Sequence, residues 1–346
     1  MPYGTVNADL MTTSDGVSSS GLYGFKNRII NGAMAISQRQ GTSSFTPATS
    51  DYLLDRWNYQ SSQASKFTVQ QNAGSVTPPV GFSNYMGFTV ASAVTIGASD
   101  FFYFRQPVEG FNFSDCGWGT ANAKTVTLSF QVYSSLTGTF GGSIVNSATS
   151  RSYPFSYSIS SANTWTTISV TIAGDTSGTW IGATNGVGVY VYFSLGMGST
   201  YSGTAGAWAS ALYASATGAV SVVGTASATF YITGVQLEKG STATSFDYRP
   251  YGIELALCQR YYEIGGLWFQ SGGTPSSQGT SAYFSVSKRT TPTITFTNTA
   301  YNNGSGIANY TSGISGYNTL GSFAYYFIPS GNGGFVTSNW SSSAEL

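Results

Sequence analysis

The chain contains no histidine and only two cysteines, Cys116 and Cys258. Ser-His-Asp and Cys-His catalysis both need an imidazole to move the proton, so neither is open to it. Histidine-containing zinc sites are excluded for the same reason, and two thiolates cannot complete a four-cysteine site. The cysteines form no CxxC pair; they read as two buried free thiols, with a single disulfide as the alternative. No GxxxxGK[ST] loop and no strand–GxGxxG–helix arrangement is present, and the 43 glycines read as turn punctuation. No cofactor, no structural transition metal and no catalytic activity are expected.

Carboxylates could still do chemistry. The 13 acidic residues are scattered, and the densest group is Asp100, Glu109 and Asp115. A glycosidase, and hence a depolymerase, needs two carboxyl groups roughly 5–10 Å apart across a cleft. Asp100 stands in GASDFF, a turn context in which a carboxylate bonds its own backbone. The group is therefore expected to be turn and surface carboxylates. Calcium needs only oxygen ligands, and the composition leaves it open.

Recognition of sugars needs flat aromatic faces with amides, carboxylates or guanidinium groups to read hydroxyls. Two sets of residues fit. Gln131, Tyr133, Tyr190, Tyr192 and Tyr231 lie opposite the apolar stripe of their strands, and Trp118, Tyr201 and Trp208 stand in GWGTAN and STYSGTAGAW. Each set reads equally as a subunit interface, where Tyr and Trp are enriched, or as plain surface. Near the C-terminus, Trp268, Phe269, Tyr325, Tyr326 and Trp340 stand among Gly, Ser and Asn. Trp118 and Trp340 are the two tryptophans expected to be exposed.

The elements that must position these residues are strands. Charged residues are only 8% of the 346, whereas aromatics reach 15%. A disordered chain would reverse that balance. Alternation of period two runs through KTVTLSFQVYS, TTISVTIAG, GVGVYVYFSLGMG and ATFYITG. In the third, Val187, Val189, Val191, Phe193, Leu195 and Met197 share one face. Strands of this kind split by Gly/Ser/Asn turns predict an all-β chain with a two-sheet, jelly-roll-like sandwich. The formal net charge is zero, which removes the basic footprint of a nucleic-acid binder. No apolar run reaches the roughly 20 residues that span a bilayer, so no membrane insertion is expected. MPYGTVNADLMTTSDG lacks a basic segment followed by an apolar core and does not read as a secretory signal.

Four regions follow. Residues 1–26 are polar and read as an N-terminal attachment arm or a simple tail. Residues 27–250 hold the sandwich. Residues 251–264, in YGIELALCQRYYEI, carry helical spacing, with Ile253, Leu257 and Tyr261 at i, i+4 and i+8. Such a helix is too short to stand alone and must pack. Ile253, Leu257, Tyr261 and Arg260 are accordingly expected at an oligomer interface, with the charges fixing register. Residues 265–346 return to a small β domain, with a hairpin or corner at Thr290-Thr291-Pro292 and a GNGG turn between two strand-like runs.

Several stretches together resemble a known family. They are NRIINGAMAISQRQG (27–41), DRW (55–57), GWGTANAKTVTLSFQVYSSLTGTFGGSIVNSATSRSYPFSY (117–157) and ITGVQLEKGSTATSFDYRPYGIELALCQRYY (232–262). They are similar to a module of phage tail-fibre and related virion proteins with a carbohydrate-binding-type β-sandwich. The resemblance covers roughly residues 27–262. It implies a virion structural protein, exposed on the phage particle, assembled as a homotrimer and joined to other virion proteins. The function it implies is attachment to a host cell-surface glycan; a purely structural head-decoration or fibre-base role is the alternative. The bland reading of its motif residues puts Arg56 and Trp57 in the core, pairs Arg249 with a carboxylate or carbonyls, and leaves Glu238 and Lys239 solvated at a strand end.

Overall fold

A computed structural model describes residues 26–271, 278–302, 307–309, 318–327 and 334–346. The expected arm lies outside the described residues except for Lys26, and so does the GNGG turn except for Gly334. The chain divides into two compact units, with the boundary between Arg249 and Pro250. No helix among the described residues is long and apolar enough to cross a membrane.

The first unit is a jelly-roll-like sandwich of two antiparallel sheets. Its strands are β1 (Ser50–Tyr52), β2 (Asn58–Ser61), β3 (Phe67–Gln71), β4 (Met86–Val90), β5 (Phe101–Glu109), β6 (Val126–Ser134), β7 (Gly138–Val145), β8 (Ser152–Ile159), β9 (Thr166–Ile172), β10 (Val187–Met197), the short β11 (Ser202–Gly203) and β12 (Ser215–Ala216), and β13 (Thr229–Lys239). One sheet runs β1-β2-β5-β10-β7-β8 and the other β3-β4-β13-β6-β9. The chain crosses between them, so that each sheet interleaves early and late strands.

Alternation drives the packing. Phe102 and Phe104 of β5, Val191 and Phe193 of β10, Phe130 of β6 and Phe88 of β4 all point between the sheets and are fully or almost fully buried. Their rings interlock: Phe88 stacks on Phe104 at 4.8 Å, Phe104 on Phe193 at 5.1 Å, and Phe130 meets Phe193 edge-on at 5.1 Å. Burying each such side chain contributes about 1.5–3 kcal/mol, so the inner face dominates the stability of the unit. The expected stripe of β10 breaks at its C-terminal end. A register irregularity between Ser194 and Gly196 turns the last residues over, and Met197 packs on the outer side with Tyr192.

The family-like motifs close the sandwich. Asn31, in the left-handed region at φ 58, donates through Nδ2 to the carbonyls of Ile36 and Asp55, and its own carbonyl accepts from the Trp57 indole at 3.1 Å. Arg56 and Trp57 are fully buried. Asn27 receives the amides of Ile29 and Leu237, while Arg249 donates to the carbonyls of Asn27 and Ile29. Glu238 is buried rather than solvated, because its carboxylate accepts from the Thr244 amide, the Thr244 hydroxyl and Gln236. Lys239 is exposed and pairs with Asp115 at 2.9 Å.

The second unit begins with α1 (Tyr251–Gln259). The expected helix to residue 264 is corrected here: Tyr262 already opens β14 (Tyr262–Ser271), which pairs with β19 (Gly334–Ser343) from Tyr262↔Ser343 onward. Ladder bonds along ten residues outweigh a weak helical stripe, and Gly265-Gly266 lie within the strand instead of ending the helix. The remaining strands are β15 (Gln278–Tyr283), β16 (Thr293–Asn302), β17 (Ile307–Asn309) and β18 (Ser322–Phe327). The larger sheet runs β14-β19-β16-β17, and β15 pairs with β18. Thr290-Thr291-Pro292 is therefore a corner between two sheets, not a hairpin. Trp340 is buried with Phe284, Phe323 and Tyr325. It lies over Gly265, where a Cβ would stand 2.3 Å from the indole.

Candidate functional site

Asp100 and Asp115 are each engaged by neighbouring groups. Asp100 accepts from the Gly97 amide at 2.8 Å, the Ser62 hydroxyl at 2.8 Å and the Gln63 amide at 3.1 Å, which hold its pKa below the ordinary carboxylate value. Asp115 bridges Arg28 at 2.8 Å and Lys239 at 2.9 Å. Burial raises its pKa, but the two cations outweigh that and lower it. Glu109 is buried at the end of β5. Among the described residues no group of three or more acidic or cysteine side chains could hold a metal ion. Cys116 and Cys258 are both buried and not joined in a disulfide, and burial pushes Cys116 up to about 11.

The tryptophan loop is a packed end of the sandwich. Trp118, expected to be exposed, is only 6% exposed. It meets Trp180 at 4.8 Å and Trp208 at 5.2 Å, and those two meet at 5.5 Å, all edge-on. Every indole N–H is used internally: Trp118 donates to Lys124, Trp208 to Ala173 and Trp180 to Asp175. Arg151 grips Asp175 through Nε at 2.8 Å and Nη2 at 2.7 Å. With Trp118 buried and all three N–H donors bonded internally, only parts of the half-buried Trp180 and Trp208 rings are left for a ligand. Trp340, the other tryptophan expected at the surface, is likewise 6% exposed. Tyr201 lies apart from this cluster, against Phe101 at 5.7 Å.

The outward tyrosines divide between the two sheets. Tyr133 and Tyr231 belong to the five-stranded sheet, stacked at 5.2 Å with 6° between their planes. Tyr231 is 4% exposed, because Tyr85 and the loop before β4 cover it, so its reading as an open platform is corrected. Tyr190 and Tyr192 belong to the six-stranded sheet. Tyr192 is also buried, at 1% exposure, under the 199–216 segment, while Tyr190 remains half-buried.

That six-stranded face holds the best-developed site. Register aligns Tyr52, Asn58, Arg105, Tyr192 and Ser143 in one row across five strands. Since Phe102 and Phe104 point inward, Tyr103 and Arg105 must point outward. The Arg105 guanidinium lies 4.3 Å from the Tyr190 ring centre, donates to the Tyr192 hydroxyl at 2.6 Å and reaches Asn58 Oδ1 at 3.4 Å. Gln60 donates to the same Asn58 oxygen at 2.9 Å. Among the described residues no carboxylate lies within ion-pair distance of Arg105. Burial opposes its charge, but the Tyr192, Tyr103 and Tyr190 hydroxyls outweigh that and raise its pKa. Beside it opens a pocket of about 200 Å³ walled by Tyr103, Tyr192, Tyr201 and Leu212. A bonded network brings the tyrosine wall from the 199–216 segment: Ala214 donates to Tyr201 at 2.8 Å and Tyr213 to the Ser152 hydroxyl at 3.1 Å. Such a face can stack an apolar sugar surface on a ring and read hydroxyls or an anion with Arg105, Asn58 and Gln60. Tyr103, Arg105, Asn58 and Gln60 were not singled out by the sequence reading. Their signal was Tyr and Arg on the outward beat of FFYFRQ.

In the second unit, the residues expected at an oligomer interface separate by exposure. Ile253 is 54% exposed, Leu257 and Arg260 are half-buried, and Tyr261 is fully buried. Arg260 accepts the Arg289 amide through its carbonyl.

No protein-family model matches the chain, and no curated protein matches it. Among solved structures it is similar to the enzymatically active domain of tailspike protein 4 of bacteriophage CBA120, at 12% identity and a TM-score of 0.32, over 62% of this chain and 21% of that one. It is similar to a CBM4 structure at 15% identity and a TM-score of 0.30, over 61% of this chain and 98% of that one. It is also similar to the family 11 carbohydrate-binding module from Clostridium thermocellum in complex with a β-1,3-1,4-mixed-linked tetrasaccharide, at 12% identity and a TM-score of 0.30, over 59% of this chain and 99% of that one. The match thus spans about a fifth of the tailspike chain. At these identities and scores, no ligand or residue role passes from those proteins to this one.

Proposed function

We propose that the chain is a non-catalytic subunit of a bacteriophage fibre or spike, exposed on the virion, that holds a host-surface glycan on the outer face of its six-stranded sheet. One observation carries the glycan reading: Arg105, a cation without a carboxylate partner among the described residues, set against Tyr190 and Tyr192 beside a tyrosine-walled pocket. In a chain with 8% charged residues, a half-buried guanidinium held only by tyrosines and the neutral Asn58 amide is poised for an external acceptor. The place in the virion rests on the likeness of the 27–41, 55–57, 117–157 and 232–262 stretches to tail-fibre modules. A homotrimer is supported by Tyr251 and Ile253, apolar side chains 64% and 54% exposed on a helix of nine residues. The N-terminal arm is proposed to join other virion proteins.

The tryptophan cluster favours the second reading, a purely structural virion component. Residues that looked like ligand-binding tryptophans instead use their rings and donors within the sandwich. A glycan array probed with the purified chain separates the two readings. Retention on defined glycans that Arg105→Ala abolishes supports attachment; an array blank at every glycan leaves the structural role.

A further inference from the structure

The opposite sheet carries a second concavity, made of different residues. A groove of about 300 Å³ runs along the outer face of β6 and β9. Its floor is two cross-strand pairs, Ser129↔Ser169 and Gln131↔Thr167. Thr167 donates to Gln131 Oε1 at 3.0 Å, which leaves the Gln131 amide N–H groups for something else. Among the described residues, neither that amide nitrogen nor the Ser129 and Ser169 hydroxyls have a hydrogen-bond partner.

The wall is aromatic. Phe82 meets Phe246 at 5.0 Å and Tyr248 at 5.6 Å, and Phe246 meets Tyr248 at 4.9 Å. Gly234 makes this wall, since a Cβ there would stand 2.6 Å from the Phe82 ring and its φ of +62° suits glycine. Val80, fully exposed, and Tyr248, 57% exposed, form the lip. Among the described residues no charged side chain lines the groove.

These features select the occupant. A charged ligand would be desolvated with nothing to compensate it. An apolar peptide face would bury the unbonded serine hydroxyls and the Gln131 amide, at a cost for each. A molecule with one apolar face and a rim of uncharged hydroxyls satisfies wall and floor together, and that molecule is a pyranose. We infer that this groove binds a neutral oligosaccharide, stacked on Tyr248 and Phe246 and hydrogen-bonded to Gln131, Ser129 and Ser169. The site shares no residue with the Arg105 face and stands or falls without it. Occupied together, the two faces would let one subunit engage a polymeric glycan twice, which multiplies avidity without new contacts.

The test is titration calorimetry of the full chain with three neutral hexasaccharides: β-1,4-linked glucose, β-1,4-linked xylose and α-1,4-linked glucose. At least one is expected to bind. Tyr248→Ala should weaken it about tenfold, the loss of one stacking platform. Ser169→Tyr, a solvent-facing change that fills the floor, should abolish binding without shifting the unfolding midpoint. Arg105→Ala should leave binding unchanged. The inference is overturned if none of the three binds at millimolar concentration, or if binding survives Ser169→Tyr. Loss with Arg105→Ala alone would assign the neutral sugar to the other face and equally overturn it.

Discussion

The Arg105 guanidinium stands 4.3 Å from the centre of the Tyr190 ring and donates to the Tyr192 hydroxyl at 2.6 Å, two residues further along β10. One side chain on β5 thus locks two tyrosines of the neighbouring strand. Replacing Arg105 by Ala is expected to remove a charge-assisted hydrogen bond and a cation–π contact. The destabilisation should be about 1.5–3 kcal/mol, read as a lower denaturant midpoint. Arg105→Lys should restore less than half of it, because an ammonium lacks the planar fork. A midpoint unchanged by Arg105→Ala would show that the contact contributes no net stability.

Gly234→Ala should be costly although it adds one methyl group. The residue holds φ +62°, and the new Cβ would meet the Phe82 ring at 2.6 Å. The expected loss is about 1–3 kcal/mol, with Phe82 displaced from its neighbours Phe246 and Tyr248. Near-ultraviolet circular dichroism would report the aromatic rearrangement, and an unaltered spectrum would contradict it.

Acid should weaken the sandwich through Asp175. Burial alone would raise its pKa, but Arg151, the Ser177 amide and Trp180 outweigh it, and the net shift is downward. The unfolded chain therefore takes up the proton first as pH falls. Stability contributed by the ionised Asp175 is complete above the ordinary aspartate range and is lost as pH falls through the depressed folded value. Asp175→Asn should lower stability at neutral pH by about 1.5–3 kcal/mol and flatten the acid limb of a plot of unfolding midpoint against pH. An acid limb identical in the variant would reject Asp175 as a contributor.

In the second unit, Lys288 is buried against Glu263 and the Gln259 carbonyl, with its ammonium 4.6 Å from the Phe284 ring centre. Removing one partner leaves the other charged and dry. Lys288→Met is expected to cost about 3–5 kcal/mol. The double variant Lys288→Met, Glu263→Gln should recover part of that, since no unpaired charge remains. Calorimetry of the full chain would read this as loss and partial return of one transition. A double variant no better than the single would place the cost in packing.

Ile253→Asp tests the proposed trimer where folding is least at risk, because the side chain is 54% exposed. The expected result is a monomeric mass by light scattering at micromolar concentration with an unchanged far-ultraviolet spectrum. A trimer that persists would move the contact away from α1. Leu257→Asp should also break assembly, but Leu257 is half-buried, so the spectrum must be checked before its mass is interpreted.

Period-two alternation was enough to find β6, β9, β10 and β13, because a half-buried strand must send every second side chain to the core. Low charge and abundant aromatics were enough for an all-β sandwich, and the absence of histidine bounded the chemistry. Alternation states only whether a side chain faces in or out; it carries no information about which sheet a strand joins. Tyr133 and Tyr190 therefore looked like one platform, and sheet order put them on opposite faces. Nor does it tell what covers an outward residue: Tyr231 and Tyr192 point away from the core and are still buried, by the loop before β4 and by the 199–216 segment. Trp118 and Trp340 looked exposed among glycines, yet each finds ring partners distant in sequence. The groove beneath Tyr248 joins residues from β6, β9 and the segment after β13, and only pairing across the sheet brings them together. Local sterics act between neighbours and are written in the sequence, whereas sheet order and loop coverage are long-range contacts that exist only once the chain has closed on itself.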